Sequence, residues 1–119
     1  IMADYSFNNA NYNDTLKYID ITYQLDTNDA YTNQLKAWIL FYLKDYENAE
    51  IWLDKTISLF GTNEPKNVTY YYLAYSCEKL KKYSKAIQYY SKYVTNLSDD
   101  DKKSEIYNKI DELEKQNNN

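Results

Sequence analysis

The longest unbroken apolar stretch is Ala37-Trp38-Ile39-Leu40-Phe41-Tyr42-Leu43, which leaves a helix with no polar side. Such a helix needs cover on every face or a partner on one of them. Near the C-terminus the pattern is different: Ile106, Ile110 and Leu113 form a single apolar stripe, with charges elsewhere. That is the pattern of a helix with one face on protein and the other in water. Between these landmarks the spacing predicts helices over 29–43, 46–60, 66–81 and 83–97, and a last one from Ser98 to about residue 116. Gly61 is placed to stop the second as a left-handed residue, and Pro65 suits a first helical turn. Ser98 with Asp101 three residues on forms a weaker capping box for the last helix. Gln116 and the asparagines after it are expected to fray.

The pattern repeats. Lys44-Asp45-Tyr46-Glu47-Asn48-Ala49 recurs 37 residues later as Lys81-Lys82-Tyr83-Ser84-Lys85-Ala86. Asn11-Tyr12-Asn13-Asp14-Thr15 fits the same frame 34 residues upstream. Ala3, Ala37 and Ala74 keep these spacings ahead of each copy. Two antiparallel helices approach closely only where small residues face the partner, and Ala37 with Ala49, then Ala74 with Ala86, supply such contacts. Tyr12, Tyr46 and Tyr83 open the second helix of each copy, where a ring can wedge between hairpins with its hydroxyl near the wet turn. The units run over about 1–28, 29–65 and 66–98, followed by a capping helix over 99–116 and a tail at 117–119.

These copies resemble tetratricopeptide repeats (TPR), whose pattern is Trp-x2-Leu-Gly-x2-Tyr, then Ala-x3-Phe, then Pro. The third unit fits best: Tyr70 stands for the opening aromatic, Leu73-Ala74 for Leu-Gly, Tyr83 and Ala86 for the second-helix start, Tyr90 for the later aromatic. The second unit keeps Ala37, Tyr46, Ala49 and Leu53 but has Asn33 and Lys36 where an aromatic and a leucine are expected. The first has Met2-Ala3, Tyr12, Thr15 and Ile19 and begins inside its first helix, so the chain is expected to be a piece of a longer protein. The terminal proline is replaced by Thr27, Gly61 and Ser98, and the late small residue by Thr22, Thr56 and Tyr93. The resemblance implies an all-α fold: a right-handed superhelical stack of antiparallel helix pairs, about three units plus the capping helix.

Composition narrows the function. One glycine excludes phosphate loops and dinucleotide fingerprints, and the lack of histidine removes the usual near-neutral base and commonest metal ligand. The expectation is no catalysis, no cofactor and no metal. A net charge of −4 without arginine is a poor match to nucleic acid. Asp26 to Asp29 and Asp99 to Asp101 lack the Gly turn and trailing Glu of a calcium loop and read as helix N-terminal acids. Three sequons, at Asn13, Asn67 and Asn96, are what an Asn-rich chain produces by accident. Cys77 reads as a small buried hydrophobe that needs no oxidising compartment, which favours the cytoplasm. No signal peptide or membrane span is visible, and a targeting segment would lie upstream of the start.

The function implied by the resemblance is binding of another protein, as a peptide or an amphipathic helix, in a concave aromatic groove. In the second unit Tyr31, Gln34, Leu35, Trp38, Phe41 and Tyr42 would face it; in the third, Tyr71, Tyr72, Tyr75, Glu78 and Lys79 would. Tyr and Trp give large contact area at low rotamer cost. The places comparable to a chaperone-tail carboxylate clamp carry Gln34, Trp38, Val68 and Tyr72, so the groove suits apolar anchors. The second expectation is array building or homo-oligomerisation through the N-terminal edge.

Overall fold

A computed structural model describes residues 12–25 and 29–118. The described residues form six helices and no strand: α1 (Tyr12–Leu25), α2 (Ala30–Tyr42), α3 (Tyr46–Phe60), α4 (Val68–Lys79), α5 (Tyr83–Thr95) and α6 (Asp100–Asn117). They fall into two compact units that divide between Pro65 and Lys66. In the first, α1 packs on α2 and α2 on α3; in the second, α4 packs on α5 and α5 on α6. Met2, Ala3 and the start of the first repeat, the side chains of Tyr12 and Thr22, and Thr27 lie outside the described residues.

Within each hairpin the small residues are where the helices meet. Ala37 and Ala49 are fully buried in the first unit, Ala74 and Ala86 in the second, as the spacing predicts. Around them Ile39, Leu40 and Leu53 fill one core, and Tyr70, Leu73, Cys77, Tyr90 and Val94 the other. The stripe on α6 is also as predicted, with Ile106, Ile110 and Leu113 buried and the rest of the helix largely wet. Thr56, in the place of a small residue, is tolerated because its hydroxyl donates to the Trp52 carbonyl one turn back at 2.7 Å.

Both hairpin turns use the repeated lysines. Lys44 and Lys81 have φ of 64° and 62°, in the left-handed region. In each turn two backbone bonds close the helix end. Lys44 N–H donates to Phe41 O at 2.9 Å and Asp45 N–H to Leu40 O at 3.0 Å. Lys81 N–H likewise donates to Glu78 O at 3.0 Å and Lys82 N–H to Cys77 O at 2.8 Å. This is the Schellman arrangement, in which the left-handed residue is usually glycine. A side chain there costs about 1 kcal/mol, partly offset because glycine frees the unfolded chain. Lys44→Gly and Lys81→Gly should therefore each raise stability by roughly 0.5 kcal/mol, and add when combined, in urea unfolding.

Several helix ends differ in detail from the sequence reading. The last helix is capped by Asp99 and not by Ser98: one Asp99 carboxylate oxygen accepts from the N–H groups of Asp101 at 2.9 Å and Lys102 at 3.2 Å. A charged acceptor at the positive end of the helix dipole outcompetes the neighbouring hydroxyl. Pro65 lies ahead of α4 instead of in its first turn, because residues 66–70 enter through tight i→i+3 turns, Thr69 N–H to Lys66 O and Tyr70 N–H to Asn67 O. Gly61 does end α3, but at φ 57°, ψ −121°, outside the left-handed helical well. That region is open essentially to glycine alone. The tail also stays helical through Asn117, whose amide donates to Ser84 Oγ at 3.0 Å.

Candidate functional site

In α2 the residues Tyr31, Leu35, Trp38 and Tyr42 recur at i, i+4, i+7 and i+11, so they share one face of the helix. The opposite face, Asn33, Ala37 and Leu40, is buried against the rest of its unit. Tyr31 is 70% exposed and Tyr42 41%, while Leu35 and Trp38 are partly exposed between them. Asp29 fixes the start of this face. Its carboxylate accepts from Tyr31 N–H at 3.1 Å and from the Thr32 hydroxyl at 2.6 Å. The Tyr31 ring then stands edge-on to Phe60 of α3, centroids 5.2 Å apart, held on one edge and open to water elsewhere. Phe41 sits off the stripe, partly buried, with its ring 5.7 Å from Tyr42 and 6.1 Å from Tyr46. Gln34 is only 5% exposed, so it gives a guest little area.

The residues expected from the third unit are arranged differently. Tyr72 is 9% exposed and belongs to the core. Tyr71 is the centre of a ring cluster, with Tyr93 at 5.3 Å, Tyr90 at 6.0 Å, and Tyr72 and Tyr75 at 6.1 Å. Glu78, expected to face the groove, is committed internally. One carboxylate oxygen accepts from the Tyr90 hydroxyl at 2.8 Å and the other from Lys109 Nζ at 3.2 Å, tying α4 to α5 and α6. Lys79 is exposed and Tyr75, like Tyr71 and Glu78, is partly exposed; the Lys79 ammonium lies 5.1 Å from the Tyr75 ring centroid.

Burial, then the hydrogen bond to Glu78, then that carboxylate's charge push the Tyr90 phenol far above its ordinary 10.0. Burial, then the neighbouring Tyr75, also raises Tyr71. Phenols with raised folded values contribute stability that is complete below the unfolded value, about pH 10, and lost as pH climbs beyond it. The urea midpoint should fall steeply above about pH 10, and Tyr90→Phe should flatten that fall; an unchanged slope would contradict the assignment.

Ser76, at the position equivalent to Ile39 in the earlier hairpin, is fully buried and its hydroxyl makes no hydrogen bond. An unsatisfied buried hydroxyl costs about 1–3 kcal/mol. Ser76→Ala should therefore raise the unfolding midpoint, by the equivalent of about 1 kcal/mol.

Several contacts were invisible in the pattern. Lys36, where a leucine was expected, pairs with Asp20 of α1 at 2.7 Å and sits 4.0 Å from the Trp52 ring centroid, joining three helices. Lys55 lies 5.1 Å from the same ring. In the second unit Lys92, 37 residues on, lies 4.9 Å from Tyr70, which stacks on Tyr89. Lys55 and Lys92 share a repeat position, but the counterpart of Trp52 is Tyr89 and not Tyr70, so spacing alone does not give this pairing. Asn33, in the place of the other missing aromatic, is buried with its amide donating to Asp29 O at 2.8 Å. The sequon residue Asn67 is similarly engaged: its amide donates to Tyr93 O at 3.1 Å, and its carbonyl accepts from Asn96 at 3.2 Å.

Among the described residues there is no group of three or more side chains placed to hold a metal ion, and no helix is long and apolar enough to cross a membrane. No curated protein matches the sequence. A sequence model of the family described as anaphase-promoting complex, cyclosome, subunit 3 matches residues 8–93. That family is built of TPR-like repeats, which generally mediate protein–protein interaction and are typically non-enzymatic scaffolds. The match spans most of the chain, includes both described helix hairpins and stops in α5, ahead of the capping helix. The chain belongs to this TPR-like family.

Proposed function

We propose that the chain is a protein-binding scaffold without catalytic activity, and that the outward stripe of α2 is where it docks a peptide or an amphipathic helix of another protein. One observation carries this reading: Tyr31, Leu35, Trp38 and Tyr42 line a single helix face and keep area open to water, although their opposite face is fully packed. Eleven residues of helix span about 16 Å, the length of three turns of a guest helix. The side chains suit the task. Rings and a leucine supply apolar area at low entropic cost, and the two phenols can satisfy backbone or side-chain polar groups of the guest.

Tyr75 and Lys79 of α4 are the further candidates in the second unit, with less open area and an ammonium already near the ring. Selection of a displayed random-peptide library on the full chain tests the reading. Enriched sequences should carry two or three large apolar residues at helical or alternating spacing. Enrichment of sequences with no apolar anchor would count against it.

A further inference from the structure

The charge of the chain is unevenly divided. Residues 1–65 carry ten carboxylates and four lysines, a net charge of −6, whereas residues 66–119 carry eight carboxylates and ten lysines, a net charge of +2. The docking stripe lies in the acidic unit. The four stripe residues are themselves uncharged, and neither the first turn of α2 is acidic nor its last turn basic. Of the four lysines in this unit, Lys36 is paired with Asp20 and lies over Trp52, and Lys55 lies near the same ring. Asp29 caps the helix that bears the stripe, and Asp45 caps the next one, just past the stripe's far end.

From this we infer that the occupant of the α2 stripe is an amphipathic helix whose apolar face is flanked by lysine and arginine. The inference rests on α2 being the docking face. An apolar stripe alone does not distinguish basic from acidic helices, because the hydrophobic term is indifferent to the sign of flanking charge. The field of a unit at −6 is not indifferent: it attracts basic partners over about 8–10 Å at ordinary salt and repels acidic ones. The stripe's rings add to the preference, since aromatic residues such as Tyr31, Trp38 and Tyr42 favour cationic groups beside them. The same unit already uses that contact internally, with two ammonium groups around Trp52. A partner carrying glutamates beside its anchors would instead meet Asp29 at one end of the stripe and Asp45, next to Lys44, at the other, in a unit of net charge −6.

The test uses the full chain and two synthetic helical peptides with one leucine-rich face in common, one flanked by Lys and Arg, the other by Glu. Fluorescence anisotropy should find the basic peptide bound at least about tenfold more tightly at low salt, with the gap closing as salt shortens the screening length. Both affinities should drop in the Tyr31→Ala/Trp38→Ala variant. An acidic peptide bound as tightly as the basic one, and still dependent on Trp38, overturns the charge assignment while leaving the docking face standing. A basic peptide bound undiminished by the double variant overturns the inference, because it then sits elsewhere on the acidic unit. Failure of both peptides also overturns it, and the library selection then decides separately whether α2 docks anything.

Discussion

Replacing Tyr31 and Trp38 together with alanine is expected to abolish capture of peptides that bind the unaltered chain, while its helical circular dichroism stays the same. Aromatic anchors at the centre of an interface cost about 2 kcal/mol or more each when truncated, so the pair should weaken binding at least about a hundredfold. Circular dichroism checks that the fold survives, because Trp38 is partly buried and has contacts of its own. Tyr31 is mostly in water, and its edge-on contact with Phe60 has a magnitude of about 1 kcal/mol. Ile51 on α3 supplies the control: it is 60% exposed and apolar but lies off the stripe. Ile51→Ala should leave affinity within about twofold, since scattered exposed hydrophobes are ordinary surface.

The second large effect concerns the hairpin contacts. Ala86→Leu should lower the stability of the second unit by roughly 3 kcal/mol, the upper end of what overpacking a full core costs. Ala86 is fully buried on α5, with Ala74 fully buried on α4 in the same hairpin, and the three added carbons have nowhere to go without parting the helices. Parting them would also pull Tyr90 from Glu78, so the alkaline fall in stability should flatten as well. Ala49→Leu should act similarly on the first unit, where Ala37 is the small partner. Urea unfolding followed by circular dichroism measures both; a cost near zero would mean that close approach at these alanines is not what joins the helices.

Much of the architecture was legible because it depends on residue spacing. The recurrence of Lys44 to Ala49 at Lys81 to Ala86 located both hairpin turns, both buried alanine pairs and the starts of α3 and α5. The stripe of α6 was legible because a cap contacts protein on one side only. Capping was less so: Ser98 and Asp99 are adjacent candidates, and the choice turns on which acceptor reaches two N–H groups at once.

The candidate site was readable in part. Position along α2 gives the angle of each side chain about the helix, which puts Tyr31, Leu35, Trp38 and Tyr42 on one face. It does not give what packs across from each residue, and Gln34 and Tyr72 are buried for that reason. Glu78 shows the same limit more sharply. Nothing in the local pattern pairs it with Tyr90 and with Lys109, the latter 31 residues away, yet those bonds commit its carboxylate internally. Lys36 and Asn33 looked like losses from the repeat pattern. They are replacements whose partners, Asp20 and Trp52 for one and the Asp29 backbone for the other, lie in adjoining elements.

The chain's two tryptophans allow a direct measurement, since Trp38 is on the stripe and Trp52 lies beneath Lys36 and Lys55. Indole N–H resonances of nitrogen-15-labelled protein, assigned with Trp52→Phe, should be followed while a library-selected peptide is added. The Trp38 signal should move to saturation with the peptide while the Trp52 signal stays in place. Movement of Trp52 with Trp38 unmoved would contradict docking on α2.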